Sequence, residues 1–371
     1  MATIRKRTWR SGGETKTAWV ADYFDQSRKR HLKTFKRERQ AKDWLITALH
    51  EVKEGTHTPE SRSITVAEAC EIWLAKAELE GRERATLVQY RSHADLHIKP
   101  SRIGGEKLAR LTTPAVEQFR DDMLRSCSRA LARKVLTSLK SAIKEAKRRG
   151  LVAQNAALEV RIDGDKRNEK KLAVGRGIPS KAEVKAILSR AEGRWRPLFV
   201  TAAFSGMRAS ELRGLPWSAV DLAKNVMQVR QRADRWGTIG APKSRDSVRE
   251  IPLSPLVVNT LREWRLVCPK GELGLVFPNG EGQVESYDHL RGGLVSLLRN
   301  VGIANRYGLH AFRHFFASWV IEQGFSPKRV QTLLGHSSIQ MTFDVYGHLF
   351  PSLEDDHAKF AAGELSIVGG G

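Results

Sequence analysis

Two polar segments divide this 371-residue chain and limit it to a multidomain fold. The first, EGTHTPESRS, spans residues 54–63, and the second, IDGDKRNEKKLAVGRG, spans residues 162–177. Both have few large apolar side chains and several turn-forming residues, which is typical of linkers. The parts that they separate are each long enough to bury a core. We therefore predict domains at 1–58, 64–162 and 178–350, a linker at 163–177 and a tail at 351–371.

The N-terminal module, residues 1–58, has the pattern of a small sheet covered by a helix. TAWVADYF and KRHLKTF alternate apolar and polar residues on either side of the polar turn DQSRKR, which predicts a β-hairpin. A helix is predicted from Glu38 to Val52, because Trp44, Leu45 and Ala48 fall on one side of it and can close over the sheet.

The middle part is helical by pattern. Thr65 and Glu68 form a capping box ahead of VAEACEIWLAKAEL. Thr113 and Pro114 begin a second helix that extends to about Leu124. A longer helix begins near Arg129 and is stopped by Gly150.

The third part is predicted to be mainly helical with one β-hairpin. Ser180 and Glu183 form another capping box at its start. NVMQVRQ and VREIPL, separated by a loop with Gly and Pro, have the period-two pattern of paired strands. The fold class is therefore multidomain and mainly α with small β elements (α+β).

Charge indicates a polyanionic partner. The chain has 63 Lys and Arg against 41 Asp and Glu, a formal charge of +22, which favours nucleic acid through counterion release. A cationic surface kept for solubility is the alternative. Dense basic residues on the N-terminal module and along the long helix are the candidate DNA contacts, with ordinary solvated surfaces as the alternative. They are Arg5, Lys6, Arg7, Arg28, Arg30, Lys140, Lys144 and Lys147.

Cysteine usage and hydropathy indicate a cytoplasmic protein. Cys70, Cys127 and Cys268 are odd in number and far apart, which fits buried thiols better than disulfides or a zinc site. The N-terminus has no apolar signal region, and stretches such as PLFVTAAF are too short to span a bilayer. We expect neither a metal nor a membrane partner.

Five residues of the third part form a set suited to phosphodiester chemistry. They are Arg208 in SGMRASEL, His310 and Arg313 in GLHAFRHFFAS, and His336 and Tyr346 in LLGHSSIQMTFDVYGH. Guanidinium groups can make forked hydrogen bonds to phosphate oxygens, and imidazoles can move protons. A phenol can form a covalent phosphoester. The set therefore predicts a phosphate clamp with a nucleophile.

In order and spacing, these motifs resemble the signature of the tyrosine recombinases, or phage-type integrases: Arg, Lys, His-x-x-Arg, His or Trp, then Tyr. The resemblance covers residues 176–350 most strongly. It implies that Tyr346 is the nucleophile, that Lys243 in APKSRDSVREIPL protonates the leaving oxygen, and that no cofactor is needed. Arg208, Arg313 and His336 would neutralise the phosphate, and His310 would manage the tyrosine proton.

Several of these residues have alternative roles that are purely structural. Arg208 could be only an ion-pair partner of Glu211, which we expect to orient it. His314 shares a helix face with His310 at the spacing of a metal pair, yet no third ligand follows, so we expect a packed histidine that supports the site.

The remaining alternatives concern the end of the motif and the lysine. His336 could serve only as a helix cap after Gly335, and Tyr346 could be a core tyrosine. Lys243 has Arg245 and Lys224 as nearby rivals for the role of acid.

The predicted function is site-specific recombination that integrates or excises a mobile element through a 3′-phosphotyrosyl intermediate. The resemblance implies an N-terminal three-stranded domain for arm sites, a helical domain for core sites, and a homotetramer on double-stranded DNA. It also implies a tail that docks on a neighbouring protomer, and accessory DNA-bending and excision factors. A type IB topoisomerase-like enzyme and a catalytically inert architectural DNA-binding protein are the alternatives.

Overall fold

The computed structural model describes residues 2–12, 14–26, 28–55, 57–59, 63–163, 172–242, 244–303, 307–350 and 356–368. Helices predominate, and the strands form small sheets, so the predicted fold class is confirmed. The chain divides into two compact units, residues 1–166 and 167–371. The three-domain boundaries stay a prediction, although the first unit contains two separate apolar cores.

The N-terminal module is an antiparallel sheet covered by one helix. Its strands are β1 (Thr3–Ser11), β2 (Glu14–Phe24) and β3 (Arg30–Phe35), in that order across the sheet. The predicted hairpin is β2–β3, with Trp19 opposite Phe35. Helix α1 (Glu38–Lys53) buries Ala41, Leu45 and Ala48 on the side facing the sheet. Tyr23 lies in this small core.

Helices with apolar faces form the second core of the first unit. They are α2 (Val66–Leu79), α3 (Arg84–His93), a π-helical turn (Ala94–Ile98), α4 (Thr113–Ser126) and α5 (Arg129–Arg148). The Thr65–Glu68 capping box is present at the start of α2. Gly150 has a φ of +71°, a left-handed conformation that glycine adopts without strain and that ends the path of α5.

The second unit surrounds a larger core with helices. Its elements begin with β4 (Ala173–Val174), β5 (Gly177–Ile178), α6 (Lys181–Arg190), α7 (Trp195–Ser205) and α8 (Ala209–Arg213). Strands β6 (Val220–Asp221), β7 (Val226–Val229), β8 (Arg232–Ala233), β9 (Ile239–Gly240) and β10 (Arg249–Pro252) follow. The remaining helices are α9 (Pro255–Val267), α10 (Tyr287–Asn300), α11 (His310–Glu322), α12 (Pro327–Leu334), α13 (Ile339–Tyr346) and α14 (Asp356–Val368). The Ser180–Glu183 capping box is observed at α6.

The predicted hairpin of the second unit is β7 paired with β10. The strands are antiparallel, with Val229 opposite Arg249 and Met227 opposite Ile251. Alternate side chains point to opposite faces of a strand, so Arg249 shares its face with Ile251. Both residues are buried, and Arg249 is therefore a cation on the inward side of the sheet.

Helices α7 and α12 both end at a left-handed glycine. Gly206 has a φ of +64°, and a Cβ there would lie 2.4 Å from the ring of Phe316. Gly335 ends α12 with a φ of +63°. These tight turns place Arg208 and His336 just beyond the ends of the two helices. None of the helices in the described ranges is long and apolar enough to cross a membrane.

Candidate active site

Arg313 is the most deeply buried cation of the predicted set. Its position on the first turn of α11 points it into the second unit, where only 2% of the residue is exposed. Its Nη1 donates to the Gly206 carbonyl at 2.7 Å. Burial, together with the positive charge of Arg208, lowers its pKa to about 9, so it stays protonated at neutral pH. A buried cation held mainly by a neutral carbonyl is suited to an anionic ligand.

Arg208 lies across the same turn and is partly open to solvent. Its side chain is 30% exposed and donates from Nη1 to Glu211 Oε1 at 2.7 Å. Its Nη2 donates to the Gly335 carbonyl at 3.1 Å. The Arg208–Glu211 ion pair that was the alternative role is therefore present. It also fixes the guanidinium beside the turn that precedes His336.

Glu211 is clamped by a second arginine that sequence reasoning missed. The side chains of Arg249 and Glu211 are each 2% exposed and are joined by an Nη2–Oε2 hydrogen bond of 2.9 Å. Burial by itself raises the pKa of Glu211, yet Arg249 and then Arg208 hold it below its ordinary value. Arg249 also donates from Nε to the Leu333 carbonyl at 2.7 Å. One signal could have found it: the period-two pattern of VREIPL places Arg249 on the same face as Ile251.

Tyr346 ends α13 with its phenol inside the unit. The residue is 1% exposed, and its hydroxyl lies 2.7 Å from Nδ1 of His314. Burial raises the pKa of Tyr346 to about 12, although Arg313 opposes this shift. Burial also lowers the pKa of His314 to about 4, so at neutral pH the ring is neutral and the phenol keeps its proton. His314 thus contacts the phenol directly, and its predicted role as a packed histidine that supports the site stays a prediction.

The other two histidines lie on either side of this pair. His310 is exposed at the start of α11, and its ring meets that of His314 edge to face at 4.7 Å. Although the residue as a whole is exposed, partial desolvation of its ring by the surrounding protein and then the charge of Arg313 lower the pKa of His310. The ring of His336 lies parallel to that of Tyr346 at 6.4 Å and its Nδ1 is 3.0 Å from Thr342 Oγ1.

The alternative role of His336, that of a helix cap, involves only its backbone. The His336 N–H donates to the Gln331 carbonyl at 3.1 Å. The same backbone that caps α12 therefore places the imidazole beside the phenol. Burial lowers the pKa of His336 to about 4, so the ring is neutral and can donate one hydrogen bond to a phosphate.

Lys243 lies outside the described residues. The chain resumes at Ser244, whose Oγ is 3.0 Å from Ser247 Oγ, and Ser247 Oγ is in turn 3.5 Å from Arg208 Nη1. Ser244 and Ser247, which follow Lys243 in the sequence, therefore lie beside Arg208. Its rival Lys224 is exposed and pairs with Asp221 at 3.7 Å.

His310 and His314 have the spacing of a metal-binding pair. Within the described ranges, no group of three or more His, Cys, Asp or Glu residues could hold a metal ion. His314 Nδ1 lies within hydrogen-bond distance of the Tyr346 hydroxyl.

The candidate DNA contacts of the first unit differ in their surroundings. Arg5, Lys6, Arg7, Arg28, Lys144 and Lys147 are exposed. Arg30 is also exposed but forms a forked pair with Asp22, with an Nε–Oδ1 distance of 2.9 Å. Lys140 donates to the Leu158 carbonyl at 2.9 Å, so its ammonium is committed within the protein. All eight stay predictions as DNA contacts.

Comparison with known proteins places this site in a family. Residues 180–352 match the phage integrase family. The XerC-like tyrosine recombinase of Caldanaerobacter subterraneus is 26% identical over an alignment of 317 positions, gaps included, that covers 78% of this chain and 81% of that one. An integrase of Streptomyces ambofaciens is 28% identical over an alignment of 378 positions, gaps included, that covers 92% of this chain and 93% of the relative.

A solved structure shows the same fold. The Tn1549 transposon integrase in complex with a circular intermediate DNA has a TM-score of 0.67 at 19% identity, over 80% of this chain and 99% of that one. The matched range 180–352 contains Arg208, His310, Arg313, His336 and Tyr346. The part of the chain that contains these residues, 180–352, is therefore a phage integrase family domain, and the enzyme is a site-specific DNA recombinase of the tyrosine type.

Proposed function

We propose that this recombinase integrates or excises a mobile element by cutting and rejoining DNA through a phosphotyrosyl bond to Tyr346. The observation that carries the proposal is that Arg208 and Arg313 meet at the turns Gly335 and Gly206, and that the buried phenol lies beside His336, which follows the first of these turns. The near full-length similarity to the Streptomyces integrase supports the mobile-element assignment. No observation favours the topoisomerase-like or the inert architectural alternative.

The proposed reaction is a phosphodiester exchange. Arg208, Arg313 and His336 bind the non-bridging oxygens and neutralise the charge of the transition state. The Tyr346 oxygen attacks phosphorus, and the bond to the 5′-oxygen breaks. Lys243 supplies the proton that the leaving oxygen takes up. The 3′-phosphotyrosyl bond conserves the energy of the broken ester, so a 5′-hydroxyl can rejoin it without ATP.

The assembly that we propose is a homotetramer that joins two duplexes. The N-terminal module would bind arm sites, and exposed Arg5, Lys6 and Arg7 on β1 support a basic surface for this role. Residues 64–162 and 178–350 would bind core DNA. Helix α14 exposes Phe360 and Leu365, which suits docking on a neighbouring protomer. Accessory DNA-bending and excision factors and a site of action in a bacterial cytoplasm belong to the same proposal.

Covalent capture tests the nucleophile. On a nicked suicide substrate that carries the core site, the wild-type protein should form a covalent adduct, and Tyr346→Phe should bind the DNA but form none. Tyr287→Phe is the matched control because this tyrosine is exposed on α10 and should react normally. An adduct on the Tyr346→Phe protein would refute the assignment.

Strand exchange separates the proposed function from topoisomerase activity. Two linear duplexes with core sites, one labelled, should yield recombinant products and Holliday junctions. Relaxation of supercoiled plasmid without any exchange between duplexes would favour the topoisomerase-like alternative.

A further inference from the structure

We propose that His314, and not His310, takes the proton from Tyr346 during cleavage and returns it during rejoining. The inference rests on the proposed function, since Tyr346 must be the nucleophile. It makes His314 a catalytic residue, because its ring nitrogen touches the reacting oxygen. Motif position alone would give this task to His310.

The contacts of the phenol carry the inference. The hydroxyl of Tyr346 lies 2.7 Å from His314 Nδ1, a distance across which a proton can pass directly. His310 instead contacts the ring of His314, with ring centroids 4.7 Å apart. His336 stacks parallel to the tyrosine ring, and its Nδ1 is directed to Thr342. His314 is thus the imidazole in hydrogen-bond contact with the nucleophile.

Helix geometry explains why the second histidine reaches the phenol. His310 and His314 are one turn apart on α11, so they share a face but lie at different heights along the helix. Helix α11 packs against α12 and against the turn Gly347–Leu349 that follows Tyr346. The phenol is therefore level with His314, whereas His310 lies at the exposed N-terminal end of the helix.

The protonation states of His314 and Tyr346 at rest allow His314 to act as a base while the Tyr346 oxygen attacks phosphorus. His314 is neutral at physiological pH, so it can accept a proton, and the phenol keeps its own proton at rest. As the bond from the Tyr346 oxygen to phosphorus forms, that oxygen loses its basicity and the proton passes to Nδ1. The bond from phosphorus to the 5′-oxygen breaks at the same time, and the leaving oxygen is protonated by the separate acid assigned to Lys243. Rejoining reverses each transfer.

Single-turnover cleavage of the nicked suicide substrate tests the assignment. His314→Asn keeps an oxygen where Nδ1 lies but cannot take a proton, and His314→Ala removes the group. Loss of general-base catalysis is expected to slow cleavage by about 10²-fold or more in both variants, with DNA binding and thermal melting unchanged for the Asn variant. His310→Asn is the matched comparison and should be less impaired in the step that consumes the phenolic proton.

A more acidic nucleophile distinguishes a proton acceptor from a structural support. With 3,5-difluorotyrosine in place of Tyr346, the proton leaves more readily, so the His314→Asn defect should shrink to about tenfold or less, below the usual range for general-base catalysis. A defect of unchanged size with the fluorinated residue would overturn the proposal. Normal cleavage by His314→Asn would also overturn the proposal. So would cleavage faster than that of the wild-type protein, because the hydrogen bond from His314 would then restrain the phenol instead of activating it. Absence of any adduct from the wild-type protein would instead overturn the proposed function and this inference with it.

Discussion

Replacing Arg249 with methionine should destabilise the second unit more than any exposed arginine replacement. Methionine matches the length of the stem but has neither charge nor donors. The change removes two hydrogen bonds to Glu211 and those to the carbonyls of Leu333 and Ser247. Each of the two side chains is only 2% exposed, so water cannot replace the lost partner. Breaking a buried pair costs about 3–5 kcal/mol, and we expect the lower end because Arg208 still contacts Glu211.

Hydrogen exchange of the backbone amides of β7 and β10 measures this loss of stability. These amides report on the second unit even if the first unit unfolds separately. Arg249→Met should lower the free energy of opening by about 3 kcal/mol. The matched control Arg230→Met, at an exposed arginine next to β7, should change it by less than about 0.5 kcal/mol. Adding Glu211→Gln to Arg249→Met should cost less than the sum of the single changes, because no buried carboxylate is then left alone.

The pH dependence of the same exchange has a definite sign. The pKa of Glu211 is below its ordinary value in the folded protein and returns to that value on unfolding. Its contribution to stability is therefore complete above the ordinary carboxyl range and is lost as the pH falls through the lowered folded pKa. Protection in β7 and β10 should decline in acid below about pH 4.5, and less steeply in Glu211→Gln. Equal protection in Arg249→Met and wild type would refute the supporting role of this pair.

Three further predictions concern the reaction and the N-terminal module. Arg313→Lys should bind core DNA but cleave it at least about 10²-fold more slowly in single turnover, because a point-charge ammonium cannot reproduce forked phosphate binding; near-normal cleavage would remove Arg313 from the clamp. Cleavage should proceed in excess EDTA, because side chains supply the positive charge for which other enzymes recruit Mg²⁺, and strict dependence on added divalent ions would contradict the mechanism. A protein that begins at residue 62 should still form adducts on core DNA but lose footprints at distal arm sites, and identical footprints for truncated and full-length protein would mean that the module does not bind arm DNA.

Local patterns in the sequence determined much of the fold. The capping boxes at Thr65 and Ser180 and the period-two hairpin appear where they were predicted, because each depends on neighbours a few residues apart or on simple alternation. Motif order likewise marks Arg208 and Tyr346 as members of one site, which stays a prediction. The third strand of the N-terminal module, β1, is implied by family resemblance alone, since four of its nine residues are charged and nearly all are exposed.

Tertiary packing decided which side chains touch across those elements. The Arg249–Glu211 pair spans 38 residues of chain, and the His314–Tyr346 contact spans 32. Neither distance is a helical or strand repeat, so only tertiary packing brings Arg249 of β10 to Glu211 of α8, and His314 of α11 to Tyr346 at the end of α13. Tertiary packing likewise gives Lys140 a hydrogen bond to the carbonyl of Leu158, 18 residues away, which its helical spacing could not show. Sequence therefore determined which chemical groups are available, and the fold determined which of them lies against the phenol of Tyr346, because side-chain contacts depend on how elements are oriented and not on their order.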